Sequence, residues 1–255
     1  MEEIQREITL SIVVVYTNTE KLEEAKKYLE SQSVFQSVEL IFLDNRNNKF
    51  SSASSALNYG ASIAKGEVVI FMHQDVYLWD ERLLEKYYNV LKDKPNAILG
   101  VAGVAQKDHL VYYDFCETKD KLYRGRTSNG ELMQAITLDE CLIAMQRSLW
   151  DKLKFDEKTC DNWHFYGADI CYNNLLNGGE NILYSADTCH ESTGDAYNKA
   201  FRHSLKSMIK KYKNKLKRIE TTCVNIKCSL SMYFIYSVFT RAKKLIKKII
   251  RRNTK

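Results

Sequence analysis

The stretch "EVVIFMHQD", residues 67–75, decides how the rest of the chain is interpreted. Five consecutive apolar residues run directly into His73, Gln74 and Asp75. An apolar run of this length is typical of a strand that is buried on both faces of a parallel sheet. The polar end indicates either a turn that leaves the core or the edge of a site that needs an acid.

Two earlier segments repeat this arrangement of a buried strand with a polar end. They are "ITLSIVVVYT" (8–17) and "VELIFLDN" (38–45), and helical patterns separate the three strands. The polar residues at their ends are Tyr16, Thr17, Asn18, Asp44 and Asn45. Because strands and helices alternate, we predict an α/β fold with a mostly parallel central sheet flanked by helices. The carboxyl ends of such strands border the ligand crevice, which favours a site over a turn.

The α/β pattern continues to about residue 194. The further predicted elements are a helix ended by Pro95, a strand at 96–105, a strand leading into a helix at 136–153, a loop and helix at 155–179, and a strand at 181–194 that ends near His190. Residues 106–135 are polar and turn-rich and allow no assignment.

Charge divides the chain near residue 200. Residues 201–255 hold 17 Lys and Arg against one acid, Glu220, a balance of +16, and the whole chain is +6, which leaves −10 for residues 1–200. We therefore expect an α/β domain at 1–200 and a basic helical C-terminal extension at 201–255 that face different partners.

Cysteine usage and hydropathy indicate the compartment. The seven cysteines include no C-x-x-C pair, so the sequence predicts free thiols in a reducing cytosol rather than zinc or a disulfide framework. The first ten residues lack the features of a signal peptide, and no run of about 18 uncharged apolar residues predicts a membrane span.

Several motifs together resemble family 2 glycosyltransferases, which have the GT-A fold. "ALNYGASIAKGEVVIFMHQDVYL" (56–78) resembles the family segment that runs from an Asn-containing helix to the acidic DxD motif, in the branch where HQD replaces DxD. "LSIVVVYTN", "VELIFLDN", "FDEKTCDNWHFYGADICYNNLLNGG" and "CHESTG" resemble further family segments in family order. The resemblance covers roughly residues 8–195 and implies a nucleotide-sugar donor, most simply a UDP-sugar.

The resemblance assigns a donor site to the strand ends. It implies nucleotide-sugar contacts from Tyr16, Thr17, Asn18, Asp44, Asn45, Asn58, His73 and Gln74. Asp75 would hold Mn²⁺ or Mg²⁺ on the donor diphosphate, and His190 would complete the metal shell. An imidazole at the motif favours Mn²⁺ over Mg²⁺. The alternatives are that Asp75 begins a turn or caps a helix, and that His190 is structural.

The resemblance also implies an acceptor side. Asp169 falls where the family carries the base that takes the proton of the acceptor hydroxyl, although an Asp near a helix N-terminus can equally be stabilised by the helix dipole. Asp139 and Glu140 precede a segment near the family's sugar site. Trp163 and His164 lie in an aromatic loop that would suit a sugar face or simply cover the core.

The C-terminal tail has the pattern of an amphipathic helix. Residues 233–252 place apolar side chains from Ile235 to Ile250 at helical spacing, with Lys and Arg on much of the opposite face. This pattern predicts a helix on an anionic bilayer, unless the helix docks on the protein's own core. The aromatic residues precede the basic run, so nucleic acid is not expected.

The sequence therefore predicts a metal-dependent, inverting glycosyltransferase. Its acceptor would be a glycan or lipid-linked intermediate of cell-surface polysaccharide or glycolipid synthesis. It would lie in the cytoplasm, at the inner face of the cell membrane. The alternative is a non-catalytic membrane- or nucleic-acid-binding protein on a degenerate nucleotide-sugar scaffold, because His73 and Ala168 depart from the usual motifs.

Overall fold

The computed structural model of the chain describes residues 9–118, 121–124, 126, 130–184, 187–191 and 198–253. For 114–118, 121–124 and 242–253 it describes the backbone alone. Some of residues 106–135, to which the sequence allows no assignment, lie outside these ranges.

The described strands and helices alternate along most of the chain. The strands are β1 (Leu10–Tyr16), β2 (Val38–Asp44), β3 (Val68–His73), β4 (Val76–Leu78), β5 (Ala97–Gly100), β6 (Gly103–Ala105), β7 (Val111–Tyr112), β8 (Asp114–Thr118), β9 (Lys121–Arg124), β10 (Met133–Leu138), β11 (Leu142–Gln146), β12 (Glu180–Leu183), β13 (Thr188–His190), β14 (Arg218–Glu220) and β15 (Asn225–Lys227). The helices are α1 (Thr19–Glu30), α2 (Ala53–Ile63), α3 (Leu83–Asp93), α4 (Arg147–Leu153), α5 (Tyr166–Leu176), α6 (Lys199–Tyr212) and α7 (Leu230–Asn253).

The central sheet has nine strands in the order β2-β1-β3-β11-β5-β12-β10-β6-β7. The predicted α/β class and the three predicted parallel strands are confirmed, since β1 pairs in parallel with both β2 and β3. The sheet as a whole is mixed rather than mostly parallel. Strand β11 lies antiparallel between β3 and β5, and β10 lies antiparallel to both β12 and β6. The segments predicted as single strands at 96–105 and 181–194 each divide into two.

Alternate side chains of the central strands pack against helices on opposite faces of the sheet. Val13, Val69 and Phe71 belong to a core that includes residues of α2, α4, α5 and α6. Ile12 and Ile70, on the other face, pack with α1 and α3. This two-sided burial accounts for the continuous apolar runs of β1 and β3.

Helix α6 packs within the same core as the sheet. Its buried residues include Phe201, Leu205, Met208, Ile209 and Tyr212, although their sequence lies beyond the predicted domain boundary at residue 200. The boundary itself stays a prediction. Among the described residues, no helix is long and apolar enough to cross a membrane.

The expectation of free thiols is wrong for Cys189. Cys141, Cys160, Cys171, Cys223 and Cys228 are free, as predicted. In contrast, Cys189 on β13 is disulfide-bonded. The spacing of the cysteines along the chain could not predict this bond, because a disulfide requires two cysteines that are close in space but need not be close in sequence.

Candidate functional site

A cavity of about 480 Å³ opens at the carboxyl ends of β1 and β3. Its volume is in the usual range for small-molecule sites. The lining residues are Val15, Thr17, Asn45, Asn48, Ala53, Leu57, Phe71, Met72, His73, Gln74, Asp75, Glu140, Trp163, Tyr166 and His190. The polar strand ends therefore border a cavity.

Three of these side chains form a candidate metal centre. A ring nitrogen of His73, a carboxylate oxygen of Asp75 and a ring nitrogen of His190 all lie within 4.8 Å of one another. His190 reaches this position because β13 pairs antiparallel with β4, which places His190 opposite Val76. The nearest approaches are 3.4 Å from His73 Nδ1 to His190 Nε2, and 3.6 Å from His190 Nε2 to Asp75 Oδ1.

Tyr166 contacts Nε2 of His73, the ring nitrogen that is not next to His190. The Tyr166 hydroxyl lies 2.8 Å from His73 Nε2 and donates to the carbonyl oxygen of Glu140 at 3.4 Å. Because the Tyr166 hydroxyl can donate to Glu140, its oxygen can accept the Nε2 proton of His73. This arrangement leaves the Nδ1 lone pair of His73 directed toward His190 and Asp75, as a metal-ligating histidine requires.

The electrostatics of the cluster suit a cation. Burial and the neighbouring His190 lower the pKa of His73 to about 4, so its ring is neutral near pH 7. Burial acts to raise the pKa of Asp75, but the hydrogen bond and charge of His190 outweigh it and hold that pKa well below its usual range. One carboxylate and two imidazoles fit Mn²⁺ better than Mg²⁺ and leave coordination positions for a diphosphate and water.

Glu140 is the second carboxylate among the described side chains that line the cavity. Its Oε1 accepts from the backbone nitrogen of Gly167 at 3.3 Å, at the first turn of α5. Burial and the charge of Asp139 raise the pKa of Glu140 to about 8. Gly167 makes room for this side chain, because a Cβ at position 167 would lie 2.8 Å from Glu140 Cγ.

Asp169 occupies a different environment from the one predicted. It is buried on α5, is not among the residues lining the cavity, and pairs with Lys211 Nζ at 2.7 Å. Tyr212 also donates to Asp169 Oδ1 at 2.9 Å, while Lys211 bonds Asp156 at 2.8 Å. Its base role stays a prediction, but this geometry describes a core ion pair between α5 and α6.

The loop after β1 is tied to the HQD segment. Gln74 Oε1 accepts from the backbone nitrogens of Thr17 and Asn18 at 2.9 and 2.8 Å. Asn18 caps α1 by accepting from the backbone nitrogen of Lys21 at 3.1 Å. Thr17 and Gln74 line the cavity, whereas Asn18 supports the loop from outside it.

The other predicted donor contacts divide between the cavity and the scaffold. Asn45 lines the cavity and bonds the backbone of Phe50. Asp44 and Tyr16 lie outside the lining; the Asp44 carboxylate binds Arg46, which lowers the pKa of Asp44 to about 2. The scaffold residue Asn58 binds the 155–157 loop, accepting from Phe155 N at 3.0 Å and donating to Phe155 O and Glu157.

The predicted sugar contacts are brought together only in part. Trp163 lines the cavity and is 41% exposed. His164 points elsewhere and packs edge-on against Phe201 at 5.5 Å. Asp139 does not line the cavity; its carboxylate accepts from Thr222 and from the backbone nitrogen of Cys141.

Two site residues escaped the sequence interpretation. Tyr166 follows the aromatic loop of Trp163 and His164, and neither Tyr166 nor Gly167 has a role assigned by the sequence. Their positions follow from Phe165, which has the left-handed φ of 68° at the start of α5 and turns the chain so that both face Glu140. No periodicity or motif signals such a conformation at a phenylalanine.

Two solved structures show the same fold with low sequence identity. GalNAc-T7, solved with UDP, GalNAc and Mn²⁺, is 13% identical with a TM-score of 0.57, and the match covers 82% of this chain and 48% of that one. The mannosyltransferase PcManGT from Pyrobaculum calidifontis, solved with GDP-Man and Mn²⁺, is 13% identical with a TM-score of 0.55, covering 82% and 64%. The chain thus spans about half to two thirds of their lengths.

These likenesses establish the GT-A-like fold of the chain. No curated protein sequence matches it. A family model does match residues 11–212, which include the HQD segment and all of α1 to α6. The chain therefore belongs to the glycosyltransferase-like family that this model describes.

Proposed function

We propose that the protein is a metal-dependent glycosyltransferase that moves a sugar, with inversion, from a UDP-sugar to an acceptor hydroxyl. The observation that carries the proposal is that one cavity is lined by both a His73–Asp75–His190 cluster and a separate carboxylate, Glu140. The first suits a donor diphosphate, and the second suits an acceptor hydroxyl. The acceptor would be a glycan or lipid-linked intermediate of cell-surface polysaccharide or glycolipid synthesis.

The donor side consists of the three candidate metal ligands and the loop after β1. His73, Asp75 and His190 would hold Mn²⁺, which when bound would neutralise the charge that grows on the leaving diphosphate. Tyr166 would accept the Nε2 proton of His73 and so favour the tautomer whose Nδ1 can ligate. Asn45 and Thr17 border the same cavity, where they are suited to hold the nucleoside.

We assign the proton-accepting role to Glu140 rather than to Asp169. Glu140 lines the cavity, whereas Asp169 is bound to Lys211 and Tyr212 in the core. A general base must reach the proton it removes. Trp163 lies on the same cavity wall and offers an aromatic face to a sugar ring.

The donor hypothesis is tested by thermal unfolding with ligands. The purified protein is heated with UDP-, GDP- and dTDP-sugars, with and without Mn²⁺, since a ligand of the native state raises the melting temperature. We expect stabilisation by a UDP-sugar that depends on Mn²⁺, and its loss in Asp75→Asn. Asp151→Asn, which changes an exposed acid of α4 that is not among the lining residues, is the matched control. Absence of stabilisation by all three donors would favour the non-catalytic alternative.

We further propose that α7 holds the protein at the inner face of the cell membrane. Phe234, Ile235, Val238 and Phe239 are 57–68% exposed, and seven Lys and Arg lie between residues 241 and 252. Apolar side chains beside basic ones suit an anionic bilayer surface. The apolar positions from 242 to 250 lie outside the described side chains.

The membrane proposal is tested with vesicles. Ile235→Ser/Val238→Ser should reduce binding to phosphatidylglycerol vesicles while leaving donor-induced stabilisation unchanged. Leu176→Ser, an exposed apolar residue on α5, is the control for lost surface hydrophobicity. Equal vesicle binding of the double variant and the wild type would contradict the proposal.

A further inference from the structure

The charges around the cavity are unbalanced for an anionic donor. Asp75 lines it as a carboxylate, whereas Glu140, with its pKa raised to about 8, is mostly uncharged near pH 7. No lysine or arginine is among the lining side chains in the part of the chain that the structure describes. A nucleoside diphosphate would add further negative charge to this cavity. The positive charge has to come from a bound cation or from a side chain just behind the lining.

Lys21 is a side chain in that position. Its Nζ lies 3.0 Å from Asp75 Oδ2, and both side chains are mostly shielded from solvent, at 28% and 16% exposure. Lys21 lies in the first turn of α1, where its backbone nitrogen bonds the Asn18 cap. The Asn18 cap and the hydrogen bonds from the same loop to Gln74 therefore fix the backbone of Lys21 relative to the HQD segment.

A divalent cation and Lys21 would compete for the same carboxylate. Asp75 Oδ2 is bonded by Lys21, and Oδ1 faces His190 at 3.6 Å. A metal ion held by Asp75 and the two histidines would lie within a few ångströms of the ammonium group, and like charges at such a distance repel each other strongly. Full metal binding therefore requires the ammonium to move away from Asp75.

The structure provides a place for the ammonium to go. Glu191 Oε2 lies 3.7 Å from Lys21 Nζ and the Glu191 carbonyl oxygen 3.5 Å away. Tyr77 donates to Glu191 Oε2 at 3.2 Å and so holds this second carboxylate in position. A small rotation of the lysine side chain exchanges one acidic partner for the other and leaves the ammonium beside the cavity.

We infer that Lys21 competes with the divalent cation for Asp75. When the cation binds, the ammonium group turns to Glu191, beside the cavity, where it can meet the donor diphosphate. Lys21 would thereby make cation binding and donor binding cooperative: each ligand removes the obstacle to the other. This inference rests on the proposed function, since it presumes a metal and a diphosphate in the cavity.

The test is calorimetric titration of the full-length protein with Mn²⁺ alone and then with Mn²⁺ in saturating UDP. The variants are Lys21→Met and Lys21→Gln, with Lys26→Met as the control, because Lys26 lies on the same helix and pairs with Glu30. We expect Mn²⁺ alone to bind the Lys21 variants about tenfold more tightly, the low end of what one hydrogen bond to a charged group contributes. UDP should then tighten Mn²⁺ binding less than in the wild type.

The outcomes separate the two proposals. If the wild type binds Mn²⁺ and the Lys21 variants bind it no more tightly, the Lys21 inference fails and the metal site stands. If only the Lys21 variants bind Mn²⁺ without UDP, the inference is supported in its strongest form. If no protein binds Mn²⁺ with or without UDP, both proposals are overturned. A change in Lys26→Met equal to that in Lys21→Met would reduce the effect to general surface charge and also overturn the inference.

Discussion

Replacing Glu140 with Gln separates the proposed base from the rest of the site. Gln has nearly the same volume, and its carbonyl oxygen can still accept from Gly167, but it cannot take a proton from an acceptor hydroxyl. We therefore expect donor affinity to be retained while the turnover number falls by about 10²–10⁴, the usual contribution of a positioned base. Donor affinity is measured by calorimetry and turnover by nucleotide release in the presence of acceptor.

The raised pKa of Glu140 also predicts how the turnover number of the wild type depends on pH. With its pKa raised to about 8, Glu140 is ionised in roughly one molecule in ten at pH 7 and roughly nine in ten at pH 9. Since only the carboxylate accepts a proton, turnover should rise about tenfold over this range. The residual activity of Glu140→Gln should show no such rise.

Stability provides a check that the variant is folded. Because the folded-state pKa of Glu140 lies above its ordinary value of 4.5, its stabilising contribution is fully present below pH 4.5 and is lost as pH rises through 8. Glu140→Gln cannot ionise, so it should resist unfolding better than the wild type at pH 9. A loss of turnover in a protein of equal or greater stability therefore reports on chemistry.

Asp169→Asn is the comparison that decides between the two acids. Breaking its buried pair with Lys211 should lower the free energy of unfolding by about 3 kcal/mol, with turnover per folded molecule retained. Denaturant unfolding and an active-fraction assay measure the two quantities. Full turnover in Glu140→Gln together with loss of turnover in folded Asp169→Asn would refute our assignment and restore Asp169 as the base.

Two neighbouring positions test how Glu140 and His73 are held. Gly167→Ala would bring a Cβ to 2.8 Å from Glu140 Cγ, so we expect the side chain to be displaced and turnover to fall nearly as far as in Glu140→Gln, with Mn²⁺ affinity unchanged. Tyr166→Phe removes the acceptor of the His73 Nε2 proton, so Mn²⁺ affinity measured by calorimetry should fall by about 10- to 100-fold. Unchanged turnover in the first variant, or unchanged Mn²⁺ affinity in the second, would show that these contacts do not support the site.

The sequence alone determined the α/β class and the position of the polar edge. Buried strands at 8–17, 38–45 and 67–75 are visible because their apolar runs and the intervening helical periodicity are properties of neighbouring residues. The ends of these strands meet wherever parallel strands are adjacent, so His73 and Asp75 could be assigned to a site before any pairing was known. The antiparallel insertion of β11 and β10 could not be predicted, because strand order depends on contacts between distant segments.

Only the tertiary structure decided which acid faces the cavity. Asp169 and Glu140 are both acids near predicted helix or strand ends, and the family resemblance favours Asp169. The packing of α6 places Lys211 on Asp169, whereas the turn at Phe165 opens space at Gly167 for Glu140. Each of these contacts joins residues that are 27 or more positions apart. The pattern along a chain records what each segment buries, while the partner of a buried charge is determined by which segments fold against each other.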